Sequence, residues 1–199
     1  MMIFGQKQYG KRSALKRKCG GTETWIKCGA AVVLGLLLGC VGPPEEIRPV
    51  KAFDAERYLG VWYEIARLDH WFERNLTDVS ATYSLRNDGG IDVLNRGFDV
   101  SSQKWKIARG RAYAVGDNDE GSFKVSFFGP FYGGYHVIDL DRYTYEYALV
   151  CGSNRSYLWI LARNPQLPEE KTAHLIETAK SMGFDTSGLI FVAHKHRES

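Results

Sequence analysis

The sequence predicts an all-β domain: an eight-stranded antiparallel up-and-down barrel with one C-terminal α-helix packed outside it and a short ninth strand. Three observations point there. After residue 50 the chain is a succession of short β-type runs separated by turn residues. No helical period appears until residue 168. The triplet Gly60-Val61-Trp62 sets a tryptophan at the start of the first run, two residues after a glycine that lets another backbone come close, which suits a plug for one end of a barrel. At 199 residues and 44% hydrophobic content the chain can build a single domain with an adequate core, once its leader is set aside.

The leader is residues 1–39. It carries seven Lys or Arg against one acid, Glu23, and runs into the apolar stretch from Ala30 to Leu38, which is too short to span a bilayer core of roughly 30 Å. A basic region followed by a short apolar one reads as an export signal. It ends Leu37-Leu38-Gly39-Cys40, which resembles the lipobox of bacterial lipoproteins, where the cysteine is joined to diacylglycerol and acylated, with palmitate as a typical chain. That resemblance implies Cys40 as the lipidation site, and Val41 after it, rather than Asp, implies sorting to the outer membrane. The plainer reading is an incidental cysteine in an uncleaved segment. Residues 40–50, with three prolines, then read as a lipidated N-terminus and extended tether reaching at most about 35 Å.

Without the leader, 19 basic and 22 acidic residues remain, a net charge of about −3, so the basic balance of the whole chain gives no reason to expect nucleic acid. Cys19 and Cys28 leave with the leader and Cys40 takes lipid, so Cys151 has no partner for an internal disulfide.

Strands are expected at Val61 to Asp69, Asp78 to Arg86, Ile91 to Asp99, Lys104 to Val115, Ser122 to Phe128, Tyr135 to Asp141, Tyr145 to Cys151 and Tyr157 to Arg163. The second alternates cleanly, Val79, Ala81, Tyr83 and Leu85 against Ser80, Thr82 and Ser84, and Asn87-Asp88-Gly89-Gly90 joins it to the third as a tight hairpin. Sequential strands with such turns form an antiparallel meander, and eight can close around one small ligand. After Asn164-Pro165, Pro168, Glu169 and Glu170 open an amphipathic helix whose apolar Ala173, Leu175, Ile176, Ala179 and Met182 precede Gly183. A ninth strand at Leu189 to Ala193 ends the domain, taken as 51–193, and 194–199 is a charged tail.

Alternation sets an inner face. If Trp62 points inward, so do Glu64, Ala66 and Leu68. If Arg163 points inward, so do Leu161, Trp159 and Tyr157, and its guanidinium can lie over the Trp62 ring, a stacking worth roughly 0.5 to 2 kcal/mol. The alternative is an ordinary core tryptophan and a surface arginine. On the other strands the more apolar faces are Val79, Ala81 and Tyr83; Ile91 and Val93; and Phe123, Val125 and Phe127. Strand four offers either small residues (Ala108, Gly110, Ala112) or larger ones (Trp105, Ile107, Tyr113), with the small face preferred for room. Trp62 and Arg163 then mark a closed end. Trp71 and Phe72 after strand one, and Phe131 and Tyr132 in the turn after strand five, surround an open mouth. The plainer reading of those aromatics is a cluster folded over its own barrel.

Chemistry has little support. The five histidines are scattered, and His194-Lys195-His196 reads better as a solvated tail than as a metal site. Cys151 has no histidine near it in sequence to activate it and reads as packing. No cofactor is expected.

The motifs together resemble the lipocalins, in particular their bacterial outer-membrane lipoprotein branch, which is related to apolipoprotein D. Gly60-x-Trp62, the stretch from Asp141-Arg142-Tyr143 to Tyr147-Ala148-Leu149-Val150, and Ile160-Leu161-Ala162-Arg163-Asn164-Pro165 lie in the family's order, and Val125 to Tyr135 reads like the bacterial branch. The family's usual Thr-Asp-Tyr is not literally present in the second motif, and the disulfides of secreted members are absent. The family pattern points Ala148 and Val150 inward on strand seven. The resemblance implies a membrane-tethered, non-enzymatic protein that binds a fatty acid or lysophospholipid for lipid storage, transport or envelope maintenance, held by its lipid at the periplasmic face of the outer membrane. A homodimer is compatible with it. The rival is an envelope assembly protein whose aromatic mouth grips a protein partner.

Overall fold

The computed structural model describes residues 41–117 and 119–195. Cys40, the leader and His196 with the end of the tail lie outside the described residues. A one-turn helix, α1 (Ala55–Tyr58), precedes strands β1 (Gly60–Arg67), β2 (Leu76–Leu85), β3 (Ile91–Asp99), β4 (Lys104–Ala114), β5 (Ser122–Phe128), β6 (Phe131–Leu140), β7 (Tyr147–Cys151) and β8 (Leu158–Ala162). Helix α2 (Glu169–Ser181), a 3₁₀ turn (Thr186–Gly188) and β9 (Ile190–Phe191) complete the chain. All pairings are antiparallel, in the order β2-β3-β4-β5-β6-β7-β8-β1-β9, and β1 also pairs with β2 to close an eight-stranded barrel.

Helix α1 had no counterpart in the expected elements. Asp54 makes it, its carboxylate accepting from the N–H groups of Glu56 (3.0 Å) and Arg57 (3.2 Å) at the helix start. The β2–β3 hairpin is the tight turn that Asn87-Asp88-Gly89-Gly90 implies, with Gly89 at φ +79°. Strand β6 begins at Phe131, so Phe131 and Tyr132 are strand residues rather than turn residues, Phe131 pairing with Phe128.

Strict alternation fails in β1. A bulge between Glu64 and Ala66, seen as a slip of register against β8, places Ile65 and Ala66 together in the outer core, along with Leu68. Ala66 and Leu68 therefore do not follow Trp62 inward. The bulge buries Arg67 beside Glu64 instead. Towards the mouth the strands β1 and β2 separate, pairing only from Gly60–Tyr63 to Ser80–Tyr83, and the C-terminal segment fills the seam. Strand β9 bonds Ala66 and Arg67, the Asp78 N–H donates to Ala193 O at 2.8 Å, and the Lys195 N–H donates to the Asp78 carboxylate at 2.6 Å. The first residues of the tail, His194 and Lys195, are thus docked rather than loose.

Residues 41–50 are docked as well. Pro44, Ile47, Pro49 and Val50 are buried, the Val50 N–H donates to Val137 O at 2.8 Å, and the Gly121 N–H donates to Val50 O at 2.9 Å. The expected extended tether is a strap along the barrel wall.

Two apolar cores result. The inner one runs from Phe53, Tyr58 and Trp62 through Tyr83, Val93, Phe123, Ala148 and Val150. The outer one joins Leu175 and Ala179 of α2 to Ile65, Leu149, Cys151, Leu158 and Ile160. In β4 the small face points inward at Ala112, which is buried, whereas Ala108 and Ile107 are both exposed.

Candidate ligand-binding site

The closed end fixes the floor. The Trp62 indole, fully buried, donates to Tyr58 O at 2.8 Å and packs tilted against the Tyr58 ring with centroids 4.5 Å apart. Arg163 Cζ lies 4.1 Å over the Trp62 ring, and its nitrogens donate to the carbonyls of Val61 (2.9 Å), Arg57 (2.7 Å) and Tyr145 (3.2 Å). Gly60 permits this arrangement: its φ is +93°, and a Cβ there would sit 3.4 Å from the guanidinium. The second motif shapes the adjoining turn through the Asp141 carboxylate, which accepts from the Tyr143 N–H and the Thr144 hydroxyl.

Above the floor lies a cavity of about 400 Å³, within the usual range of roughly 300 to 1,000 Å³ for small-molecule sites. Of the residues singled out from sequence, Glu64, Phe72, Val79, Ala81, Tyr83, Val125, Phe127, Tyr132, Tyr157, Trp159 and Leu161 line it. Val93 and Phe123 line a smaller chamber of about 60 Å³ beneath, which shares Tyr83 and Val125 with the cavity above. Val150 is buried in the inner core and borders neither, and Trp71 stands exposed on the rim. Phe127 closes the wall where β4 and β5 pair only over Arg111–Ala114. Its ring occupies the space over Gly110, where a Cβ would come within 2.9 Å.

Polar groups are gathered inside, and of them the sequence placed only Tyr83 and Glu64 on the inner face. Tyr135 lines both chambers, and its hydroxyl bonds those of Tyr58 (2.8 Å) and Tyr83 (2.9 Å). Burial pushes the Tyr83 hydroxyl up to about 12, so the three-hydroxyl chain is neutral. Nearer the mouth, Arg67 donates to the Glu64 carboxylate at 2.6 Å and lies 4.0 Å from that of Glu73, which also accepts from the Trp159 indole at 3.1 Å. Both glutamates line the cavity. Burial pushes the Glu64 carboxyl well above the usual range, with Glu73 adding to the effect and Arg67 opposing it. Burial also raises Glu73. Two carboxyl groups share one guanidinium, and Glu64 is the one driven furthest toward its neutral form. His70 stacks on Phe72 and Tyr157 and is tilted against Trp159, and burial, with Arg67, lowers it to about 4, so it is a neutral wall of the mouth.

The signals for these groups were weak. Arg67 and Glu73 read as ordinary charged residues at a strand end and in a loop, and only the bulge turns Arg67 inward. Among the described residues no cluster of potential ligands could hold a metal ion.

A family profile described as "Lipocalin-like domain" matches residues 53–194. The chain is 54% identical over 157 residues to the outer membrane lipoprotein Blc of Vibrio cholerae, covering 79% of this chain and 92% of that protein. It is 50% identical over 165 residues to the protein of the same name from Escherichia coli K12, covering 82% and 93%. Among solved structures, insecticyanin from the tobacco hornworm Manduca sexta superposes with a TM-score of 0.64 at 22% identity, over 78% of this chain and 88% of that one, a likeness of fold.

Proposed function

The chain belongs to the lipocalin family, and from that premise we propose that it binds a single-chain lipid, a lysophospholipid or fatty acid, non-covalently in the barrel at the outer membrane. Acylated Cys40 holds it there, on the periplasmic face, in keeping with relatives named outer membrane lipoproteins. One observation carries the reading: the barrel is plugged at one end and keeps a cavity of about 400 Å³ open at the other, walled by Val79, Ala81, Val125, Phe127 and Trp159. Removing a lipid tail from water into such walls gains roughly 25 cal/mol per Å². The two carboxyl groups near the mouth favour a lysophospholipid with an ammonium group over a fatty acid, whose carboxylate would be a further acid drawing on the one guanidinium they already share.

Catalysis by Cys151 is opposed by its setting. Its thiol is buried in the outer core, and burial pushes it up to about 12, the reverse of what a thiolate nucleophile needs, although His136 is its cross-strand partner.

Extraction of the purified protein with organic solvent identifies what co-purifies, and tryptophan quenching by titrated lysophospholipid measures binding. Phe127→Asp, checked for folding by circular dichroism, should lose binding, because an unpaired carboxylate in an apolar wall is costly. A folded Phe127→Asp that binds as the parent does would move the site out of the barrel and favour the rival reading, a protein partner held on the exposed aromatic rim.

A further inference from the structure

We propose that the barrel mouth rests on the bilayer that anchors the protein, with its aromatic rim seated among the lipid headgroups. The inference rests on the acylation of Cys40 proposed above and on where the strap ends. Residues 41–50 do not hang from the barrel. They run up its outside from the closed half, where Val50 bonds Val137 and Gly121, past Arg155, whose guanidinium donates to Glu45 O at 2.9 Å. Val41, the residue next to Cys40, lies at Gly134 of β6: a Cβ built on Gly134 would come within 2.6 Å of Val41 O. The backbone of Val41 and Gly42 also lies against the buried His136 ring, opposing the lowering of its pKa by burial.

Gly134 belongs to the mouth. Its N–H bonds the Ser153 hydroxyl in the loop after β7 at 3.0 Å, and it borders the cavity. It is three residues from Phe131, about 10 Å along a strand. Acyl chains on Cys40 would therefore emerge beside the rim. That rim exposes apolar area far from any core: Trp71 is 75% exposed, Phe128 79% and Phe131 78%. A bilayer drawn against Cys40 meets these rings before any other part of the barrel, and amphipathic elements seat about 5 to 10 Å into the headgroup boundary. Tyr143, 92% exposed in the turn between β6 and β7, is at the opposite end. A strand of nine residues such as β3, tilted by roughly 35 to 45° as barrel strands are, keeps the two ends about 20 to 25 Å apart. The orientation gives single-chain lipid a path between bilayer and cavity that does not cross water.

The test uses the acylated protein in phosphatidylcholine–phosphatidylglycerol vesicles whose diacyl lipids carry bromine on the acyl chains, a tryptophan quencher. The Trp71 contribution is isolated by difference from Trp71→Phe. In that background Phe128→Trp supplies a second rim reporter outside the cavity lining, and Tyr143→Trp a closed-end reporter. Quenching of both rim reporters, with the closed-end reporter untouched, is expected. If the protein co-sediments with the vesicles and the rim reporters keep their intensity, or all three positions are quenched alike, the orientation is overturned while the anchor stands. A rim that pairs copies of the protein instead would give that first result. If the protein does not co-sediment, the acyl-anchor reading fails and this proposal falls with it.

Discussion

The two ends of the barrel draw on the same residue types and use them in opposite ways. At the closed end, the arginines and aromatics of the plug are engaged: Arg163 over Trp62 satisfies three carbonyls, Arg57 lies 4.1 Å over the Tyr145 ring, and Phe53 packs on Tyr58 and Phe123. At the mouth, Arg67 is shared between two carboxylates with its Nε unbonded, and Trp71 and Phe131 face solvent. The closed end is where packing stabilises the fold. The mouth gives up stability to keep a cavity and an exposed rim, as binding sites commonly do.

The largest test of that division is Trp62→Ala. Truncating a fully buried tryptophan should cost about 3 to 5 kcal/mol in a urea titration. Trp62 borders neither cavity, so molecules that remain folded should still bind lipid. Arg163→Ala should cost less, and the double-mutant cycle should return a coupling of about 0.5 to 2 kcal/mol from the stacked pair. Zero coupling would mean the two side chains are independent, and the closed end would not be the unit described.

Much of the fold was legible because its signals are local. The β2–β3 turn announces itself in Asn87-Asp88-Gly89-Gly90, and period-two alternation in β2 and β5 put Val79, Ala81, Tyr83, Val125 and Phe127 on the cavity wall. Trp62 and Arg163 could be paired because both lie at strand ends that topology brings together. What was missed depends on irregularity or on distant partners. The bulge at Ile65 and Ala66 leaves no mark in the apolar run and reverses the faces after it, hiding Arg67. Glu73 and His70 come from the loop after β1, where nothing local shows that both reach Trp159 of β8. The strap at 41–50 looks like a linker by composition, and only its contacts with β6 show otherwise.

An intermediate effect, of opposite sign, is expected at the mouth. Glu64 has its pKa raised by burial, so between the ordinary glutamate value and the raised one the folded protein holds more protons than the unfolded chain. Stability from this group is greatest below that window and falls as pH rises through it. His70, lowered to about 4, acts the other way: its contribution is present above the ordinary histidine value and is lost as pH falls towards 4. Glu64→Gln leaves Arg67 paired with Glu73 alone and should stabilise the protein by about 1 to 3 kcal/mol at neutral pH. It should also flatten the decline on the alkaline side and leave the His70 loss in place. The same variant should move the balance between fatty acid and lysophospholipid little at neutral pH, because the Glu64 it replaces is already driven toward its neutral form. Urea midpoints from pH 4 to 8 read the first effect, and a destabilised variant with an unchanged profile would show that burial of the acid is not what costs stability there.

The smallest effect on stability should come from Trp71→Ala. Its ring is mostly in solvent and touches the mouth only edge-on at Phe72, with centroids 5.7 Å apart, whereas Phe72 itself is held in the stack with His70 and Tyr157. Removing Trp71 therefore leaves that stack and the cavity lining intact, and stability should change by no more than about 0.5 kcal/mol. The equilibrium constant for lysophospholipid should stay within reach of the parent's, because the walls that cover the tail are unchanged. Rates are where the rim should act: a tail passing between Trp71 and Phe131 is sheltered from water on its way, so losing one side should change the association and dissociation rates together. Stopped-flow quenching resolves the two. If Trp71→Ala weakened binding as strongly as a wall substitution, the ring would belong to the site itself, and the boundary drawn between wall and rim would have to move outward.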